Sequence, residues 1–205
     1  AADAVAEYGV EVLALGDEAL LRKVAAENNI PTSGLTFVHC TEVIEMCEEP
    51  AMAIRRKKDS TIVRGLEMLK AGEADAIVSA GSTGALLSGA TLIVKRVKGV
   101  RRAAMGPAMP NKAGGKTVLL DCGANAECTP EFLLQFGLVG SAYAKYTLGV
   151  ENPRVGLLNI GTEYSKGTAL QKAAYGLLTD AGEKGLINFV GNVEARAVPL
   201  GEVDV

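Results

Sequence analysis

The sequence of 205 residues contains one histidine, His39, no tryptophan, and only 4% aromatic residues. A single histidine excludes HExxH and any site built from several imidazoles. So few aromatics offer no stacking platform for bases or sugars. The four cysteines, Cys40, Cys47, Cys122 and Cys128, show no CxxC spacing. They fit free, partly buried thiols in a reducing compartment rather than a disulfide framework or a metal site. No apolar run reaches the ~18 residues of a membrane span; the runs at 84–94 and 132–144 are closed by Lys95 and Lys145. The first seven residues carry Asp3 and Glu7 and no base, unlike a signal peptide. Neither sign of charge dominates: 21 basic and 24 acidic residues leave a net charge of −3, which excludes an overall basic nucleic-acid binder.

Common site signatures are missing too. No two glycines lie two apart, so there is no GxGxxG dinucleotide fingerprint. No two lie four apart, so there is no GxSxG nucleophile elbow. Gly114-Gly115-Lys116-Thr117 imitates the end of a Walker A loop, but Pro110 stands where its first glycine belongs and a strand pattern follows.

What is present is glycine, 24 residues against a usual share of roughly 7%. With 48% hydrophobic and 22% charged residues the chain can build a globular core. β-Branched runs predict strands at 11–15, 35–39, 75–79, 117–121, 155–159 and 187–190. Helical patterns lie between them. Pro50 opens a helix through Arg56. Asp59 or Ser60 caps the next, which ends near Gly72. Further helices are expected at 83–98 and, after the strong start Thr129-Pro130-Glu131, up to Gly149. The last is expected at 163–181. This alternation implies βαβ units and a three-layer α/β/α sandwich around a mostly parallel sheet. The expected organisation is one α/β domain over 1–205. Both ends read as cut: the chain starts inside a helical pattern, and Val203-Asp204-Val205 reads as a strand just beginning.

Parallel sheets place ligands beyond the carboxyl ends of their strands. Four such ends carry small, polar turns, at 79–84, 121–125, 159–163 and 191–194, all expected on one edge. Gly81-Ser82-Thr83-Gly84 would present free backbone N–H groups, a positive helix end and two hydroxyls to an anion. An ordinary helix cap explains the same residues. Lys166, expected one turn into its helix, adds a point charge. Asn125 offers both a donor and an acceptor. Two basic clusters, residues 55–58 and Lys95, Arg96, Lys98, Arg101 and Arg102, are either solvated helix ends or a surface for phosphate or an acidic partner. His39 ends a strand; it is either a structural residue or one at the site edge.

Several segments together carry a resemblance. They are His39-Cys40-Thr41-Glu42-Val43-Ile44, Arg55-Arg56-Lys57-Lys58-Asp59-Ser60, Ser79-Ala80-Gly81-Ser82-Thr83-Gly84-Ala85, Asp121-Cys122-Gly123-Ala124-Asn125 and Pro153-Arg154-Val155-Gly156-Leu157-Leu158-Asn159-Ile160-Gly161. Asn188-Phe189-Val190-Gly191-Asn192-Val193-Glu194 continues the pattern. In order and spacing the chain resembles the bacterial phosphate:acyl-ACP acyltransferases, the PlsX family. The resemblance implies transfer of a fatty acyl group from acyl carrier protein to inorganic phosphate, giving an acyl phosphate for phospholipid synthesis. It implies a fold similar to the phosphotransacetylases and the isocitrate/isopropylmalate dehydrogenases. It also implies a homodimer, cytoplasmic or peripheral at the inner face of the membrane, with neither metal nor cofactor and no nucleic acid.

There are departures from the family pattern. The initial strand with Asp-Ala-Met-Gly-Gly-Asp is absent, as are the later Asp-Gly-Phe-x-Gly-Asn segment and the terminal helices. Ser82 replaces the usual asparagine of its loop. Cys40 and Cys122 stand where the family has small apolar residues, which speaks against a thiol nucleophile. Phosphate is itself an anionic nucleophile, so the work left is positioning and oxyanion stabilisation. On that chemistry Ser82, Thr83 and Gly84 are expected on phosphate with Lys166, and Asn125 near the thioester carbonyl. Lys58 and Ser60 are secondary candidates for phosphate. Two alternatives stay open: a short-chain phosphotransacetylase-like enzyme using acyl-CoA, and a non-catalytic binding protein on the same scaffold.

Overall fold

Val12–Gly16 (β1) and Leu35–His39 (β2) pair in parallel, with Val12 opposite Leu35 and Gly16 opposite His39. Parallel strands need a crossover, and Glu18–Glu27 (α2) supplies it. Asp17 caps this helix by accepting the Leu20 N–H at 3.1 Å, and His39 Nδ1 accepts the Glu18 N–H at 3.2 Å. The lone histidine thus has a structural task, satisfying an otherwise orphan donor of the first turn. The computed structural model describes residues 1–205. Its chain forms two compact units, Ala1–Arg96 and Val97–Val205.

In the first unit, which begins with Ala2–Tyr8 (α1), three helices follow the sheet: Pro50–Arg56 (α3), Thr61–Ala71 (α4) and Thr83–Gly89 (α5). They enclose Ile44, Ile54, Ile62, Val63 and Leu66. Burying each of these side chains is worth roughly 1.5–3 kcal/mol. The strand expected at 75–79 is absent. Ile77 packs towards Gly65 and Val78 is 98% exposed, so the in–out alternation of a strand is present, but no ladder joins it to a neighbour. Periodicity reports a buried face; it does not supply a partner edge. The helix expected at 83–98 is also shorter. It runs on as a π-helical turn, Ala90–Val94, and closes at Lys95, whose φ is 76° and whose N–H returns to the Ala90 carbonyl. The like-charged residues beyond that point have no acids one turn away to support a helix.

The second unit opens with an antiparallel pair, Ala108–Pro110 (β3) and Lys116–Val118 (β4). The Gly114-Gly115-Lys116-Thr117 run therefore leads into a strand, and the Walker reading fails on structure as on sequence. Pro130–Leu148 (α6) has the anticipated Thr129 cap, Pro at its start and Gly149 at its end. Arg154–Leu158 (β5) and Asn188–Val193 (β6) are parallel, joined through Ala169–Glu183 (α7). A last short helix is Ala197–Leu200 (α8). Leu133, Val155, Leu157, Ala174 and Leu178 form the core between α6, α7 and these strands.

Residues 203–205 do behave as a strand. The Val118 N–H donates to the Asp204 carbonyl at 2.9 Å. On the other side the Val205 N–H reaches the Arg154 carbonyl at 3.1 Å and the Gly156 N–H reaches the Val205 carbonyl at 2.9 Å. That bracketing is the parallel pattern, so the segment lies between β4 and β5. No helix of the chain is long and apolar enough to cross a membrane.

Candidate active site

Lys166 stands on a loop, not inside a helix. The expected start at residue 163 moves to Ala169 because Gly167 takes φ 84° and Thr168 then caps α7. The cap is reciprocal, with Gln171 returning a bond to Thr168. The loop is tied down by backbone and amide groups. The Lys166 N–H donates to the Glu163 carbonyl at 3.0 Å. Asn159 Nδ2 donates to the Lys166 carbonyl at 3.2 Å, and its Oδ1 accepts the Ile160 N–H at 2.8 Å. Asn192 Nδ2 donates to the Glu163 carbonyl at 3.0 Å, which brings the turns at 159–166 and 191–194 together. Gly161 is buried beneath them: a Cβ there would lie 2.9 Å from Glu163 Oε2 and 3.0 Å from Lys166 Cγ. The Lys166 side chain is exposed. A fixed backbone with a solvent-facing ammonium suits a point charge for an anion.

Asn125 sits in a second cluster of the same unit. Its Nδ2 donates to the Ala103 carbonyl at 2.9 Å and to Asp121 Oδ2 at 3.1 Å, while its Oδ1 accepts Arg102 Nε at 2.9 Å. The amide is fully engaged, so its neighbour Arg102 is the group left with N–H donors to present. Asp121 also accepts from the Met105 and Asn125 N–H groups, both at 2.7 Å. Beside this cluster lies an apolar cavity of about 290 Å³, bordered by Leu120, Cys128, Phe136, Leu157 and Leu170. Burial pushes the Cys128 thiol up, with the Asp121 charge adding to that and Arg102 partly opposing it. Burial likewise raises the Cys40 thiol, chiefly, with Asp59 second. All four cysteines are free, and burial disfavours in these two the thiolate that a nucleophile needs.

In the first unit the loop at 79–84 folds against Pro50 and Ile62: a Cβ on Gly84 would come within 2.8 Å of Pro50 Cγ, and one on Gly81 within 3.6 Å of Ile62 Cδ1. Ser82 is 7% exposed and accepts the Ala85 N–H at 3.3 Å as the α5 cap. Thr83 is exposed. Ser60 has no exposed surface; its hydroxyl donates to the Lys57 carbonyl at 2.8 Å and accepts the Val63 N–H at 3.4 Å. It serves as the α4 cap and has nothing left for phosphate. Lys58 is exposed, donates to the Ile54 carbonyl at 3.3 Å and borders an open groove with Arg64, Glu67 and Glu73. Of the neighbouring basic run, Lys57 pairs with Glu48 at 2.5 Å, while Arg55 and Arg56 point to solvent.

The family model described as fatty acid synthesis protein matches residues 1–205. The chain belongs to this family. Among curated relatives, the phosphate acyltransferase of Alkaliphilus oremlandii is 45% identical over 205 residues, all of this chain and 60% of that protein. The phosphate acyltransferase of Clostridium novyi is 47% identical over 204 residues, 99% of this chain and 60% of that protein. The chain therefore spans about three-fifths of the length of the curated relatives it matches. Two solved structures share its fold. The EutD phosphotransacetylase from Staphylococcus aureus has a TM-score of 0.62 at 23% identity, over 94% of this chain and 66% of that one. A phosphotransacetylase from Streptococcus pyogenes has a TM-score of 0.62 at 18% identity, over 93% and 65%. The α/β fold expected from the alternating pattern is thus that of the phosphotransacetylases.

Reading the sequence placed Asn159 and Asn192 in candidate turns without giving either a role, and named Arg102 only within a basic cluster. Asn159 and Asn192 had one available signal: each is an amide side chain at the end of a strand and next to a turn. Arg102 had its basic cluster as a signal, but nothing pointed to Asn125, 23 residues away.

Proposed function

We propose that the full-length protein is a phosphate acyltransferase that moves a fatty acyl group from acyl carrier protein to inorganic phosphate. A phosphate oxygen attacks the thioester carbonyl, the C–S bond breaks, and the carrier thiolate takes the phosphate proton. The products are acyl phosphate and free carrier. The observation that carries this reading is the match to phosphate acyltransferases over all 205 residues, the Lys166 loop included. Lys166 stabilises charge on the reacting oxygens. Thr83 and the backbone N–H groups beside it bind an anion, with Ser82 and Gly84 shaping that turn and Lys58 a weaker contributor. Asn125 acts by fixing the 121–125 loop and orienting Arg102, whose remaining N–H groups face a developing oxyanion. Removing one such donor costs about 10²–10³-fold in kcat.

Arg55 and Arg56 are the exposed cations offered to the acidic carrier. Val139, Tyr143 and Tyr146 form an exposed stripe on α6, and we assign it to a homodimer interface. The function is tested by offering the full-length protein acyl-ACP or acyl-CoA, with and without inorganic phosphate. Phosphate-dependent release of free carrier from acyl-ACP supports the reading. Preference for short acyl-CoA would move the protein to the phosphotransacetylase chemistry, and no turnover of either would leave a binding protein.

A further inference from the structure

Asn192 is 94% buried on β6, yet only half of its amide is satisfied: Nδ2 donates to the Glu163 carbonyl at 3.0 Å, and Oδ1 has no partner. An orphan acceptor is costly to bury, whereas a leucine of similar volume would fill the space without one. What the asparagine supplies that leucine cannot is the N–H to Glu163. That carbonyl also accepts the Lys166 N–H at 3.0 Å, so a single oxygen ties β6 to the turn that carries Lys166. Asn159 secures the other side of the same residue through the Lys166 carbonyl. The lysine stem then crosses Gly161, where an added Cβ would lie 3.0 Å from Lys166 Cγ and push the stem aside.

We propose that Asn192 is a positioning residue for the transfer reaction, acting through the 163–166 turn to hold the Lys166 ammonium over its target. This rests on Lys166 serving the chemistry proposed above. A misplacement of about 1 Å in such a group costs about 10²-fold in rate. The test is a double-mutant cycle in the full-length protein with Asn192→Leu, Lys166→Ala and the pair, measuring acyl phosphate formation. Asn192→Leu is expected to lower kcat by about 10²-fold, with the KM for acyl-ACP and the Tm nearly unchanged. In the Lys166→Ala background it is expected to add no further loss. Equal, additive losses in both backgrounds would make Asn192 a purely structural residue and overturn the proposal. Hydrogen exchange gives a second arm, using Asn192→Ala should the leucine variant not fold. Faster exchange confined to residues 160–168 supports the proposal, and unchanged exchange there overturns it. A wild-type protein that forms no acyl phosphate would defeat the functional reading itself, while the exchange experiment would still report whether Asn192 holds the turn.

Discussion

Arg154 and Asp204 are joined twice through their side chains, Nε to Oδ2 at 3.0 Å and Nη2 to Oδ1 at 3.1 Å, and the Arg154 backbone N–H reaches Oδ2 at 2.8 Å. The pair fastens residues 203–205 to β5. Burial alone would push the Asp204 carboxyl up, but the Arg154 hydrogen bonds outweigh it and hold the group below its ordinary value. A carboxylate depressed on folding stabilises the native state above its unfolded pKa, and that contribution disappears as pH falls through the folded pKa. Asp204→Asn is therefore expected to cost about 1–2 kcal/mol at pH 7, allowing for the partly exposed Arg154. The wild-type advantage should shrink steadily as the medium is taken below about pH 4. Denaturant unfolding of both proteins at several pH values checks this; a difference that does not change with pH contradicts the ion pair.

The two hydroxyls of the 81–84 turn should separate cleanly on substitution. Ser82 is the α5 cap, so Ser82→Ala is expected to lower stability by about 1 kcal/mol. Thr83 is exposed and caps nothing, so Thr83→Ala should leave the Tm unchanged and raise the KM for phosphate about 3–10-fold, the worth of one hydrogen bond. Thermal melts and initial rates at varied phosphate decide it. An unaltered phosphate KM would return this turn to an ordinary helix start.

Replacing Cys122 with alanine should leave turnover within about threefold, because a phosphate nucleophile needs no covalent thiol intermediate. The environments of Cys40 and Cys128 point the same way, since burial raises both thiols. Complete loss of activity in a folded Cys122→Ala protein, measured by circular dichroism alongside the assay, would show a covalent route.

Much of the scaffold was legible because its signals are local. Thr129 and Pro130 set the start of α6 and Gly149 its end, and Pro50 through Arg56 and Leu35 through His39 fall on their elements to the residue. The strands that failed depended on partners distant in sequence. Residues 75–79 have a strand's alternation and no strand beside them, and the short β3 at Ala108–Pro110 exists only because β4 pairs with it. In the candidate site the residue types were legible and their duties were not. Ser60 and Ser82 carry the hydroxyls an anion would use, but cap helices with them. Asn125 has the right amide for a carbonyl, but Arg102 and Asp121 occupy it. Asn192 gained its importance only when Glu163 folded back onto it, 29 residues away.

Charge reversal at Arg55 and Arg56 is expected to raise the KM for acyl-ACP several-fold without altering kcat. Both side chains are exposed, so the effect should fade as salt shortens the screening length to below about 8–10 Å. Steady-state kinetics in low and high salt measure this. A KM that ignores both the substitutions and the salt would place the carrier elsewhere.

The most direct measurement is the fate of the phosphate oxygens. Full-length protein is given acyl-ACP and inorganic phosphate labelled with oxygen-18 at every position, and the acyl product is weighed by mass spectrometry. Direct attack on the thioester carbonyl predicts acyl phosphate that retains every labelled oxygen, formed in step with free carrier and slowed together with it, by about 10²–10³-fold, in Lys166→Ala. Release of unlabelled fatty acid at a rate indifferent to phosphate would contradict the assignment.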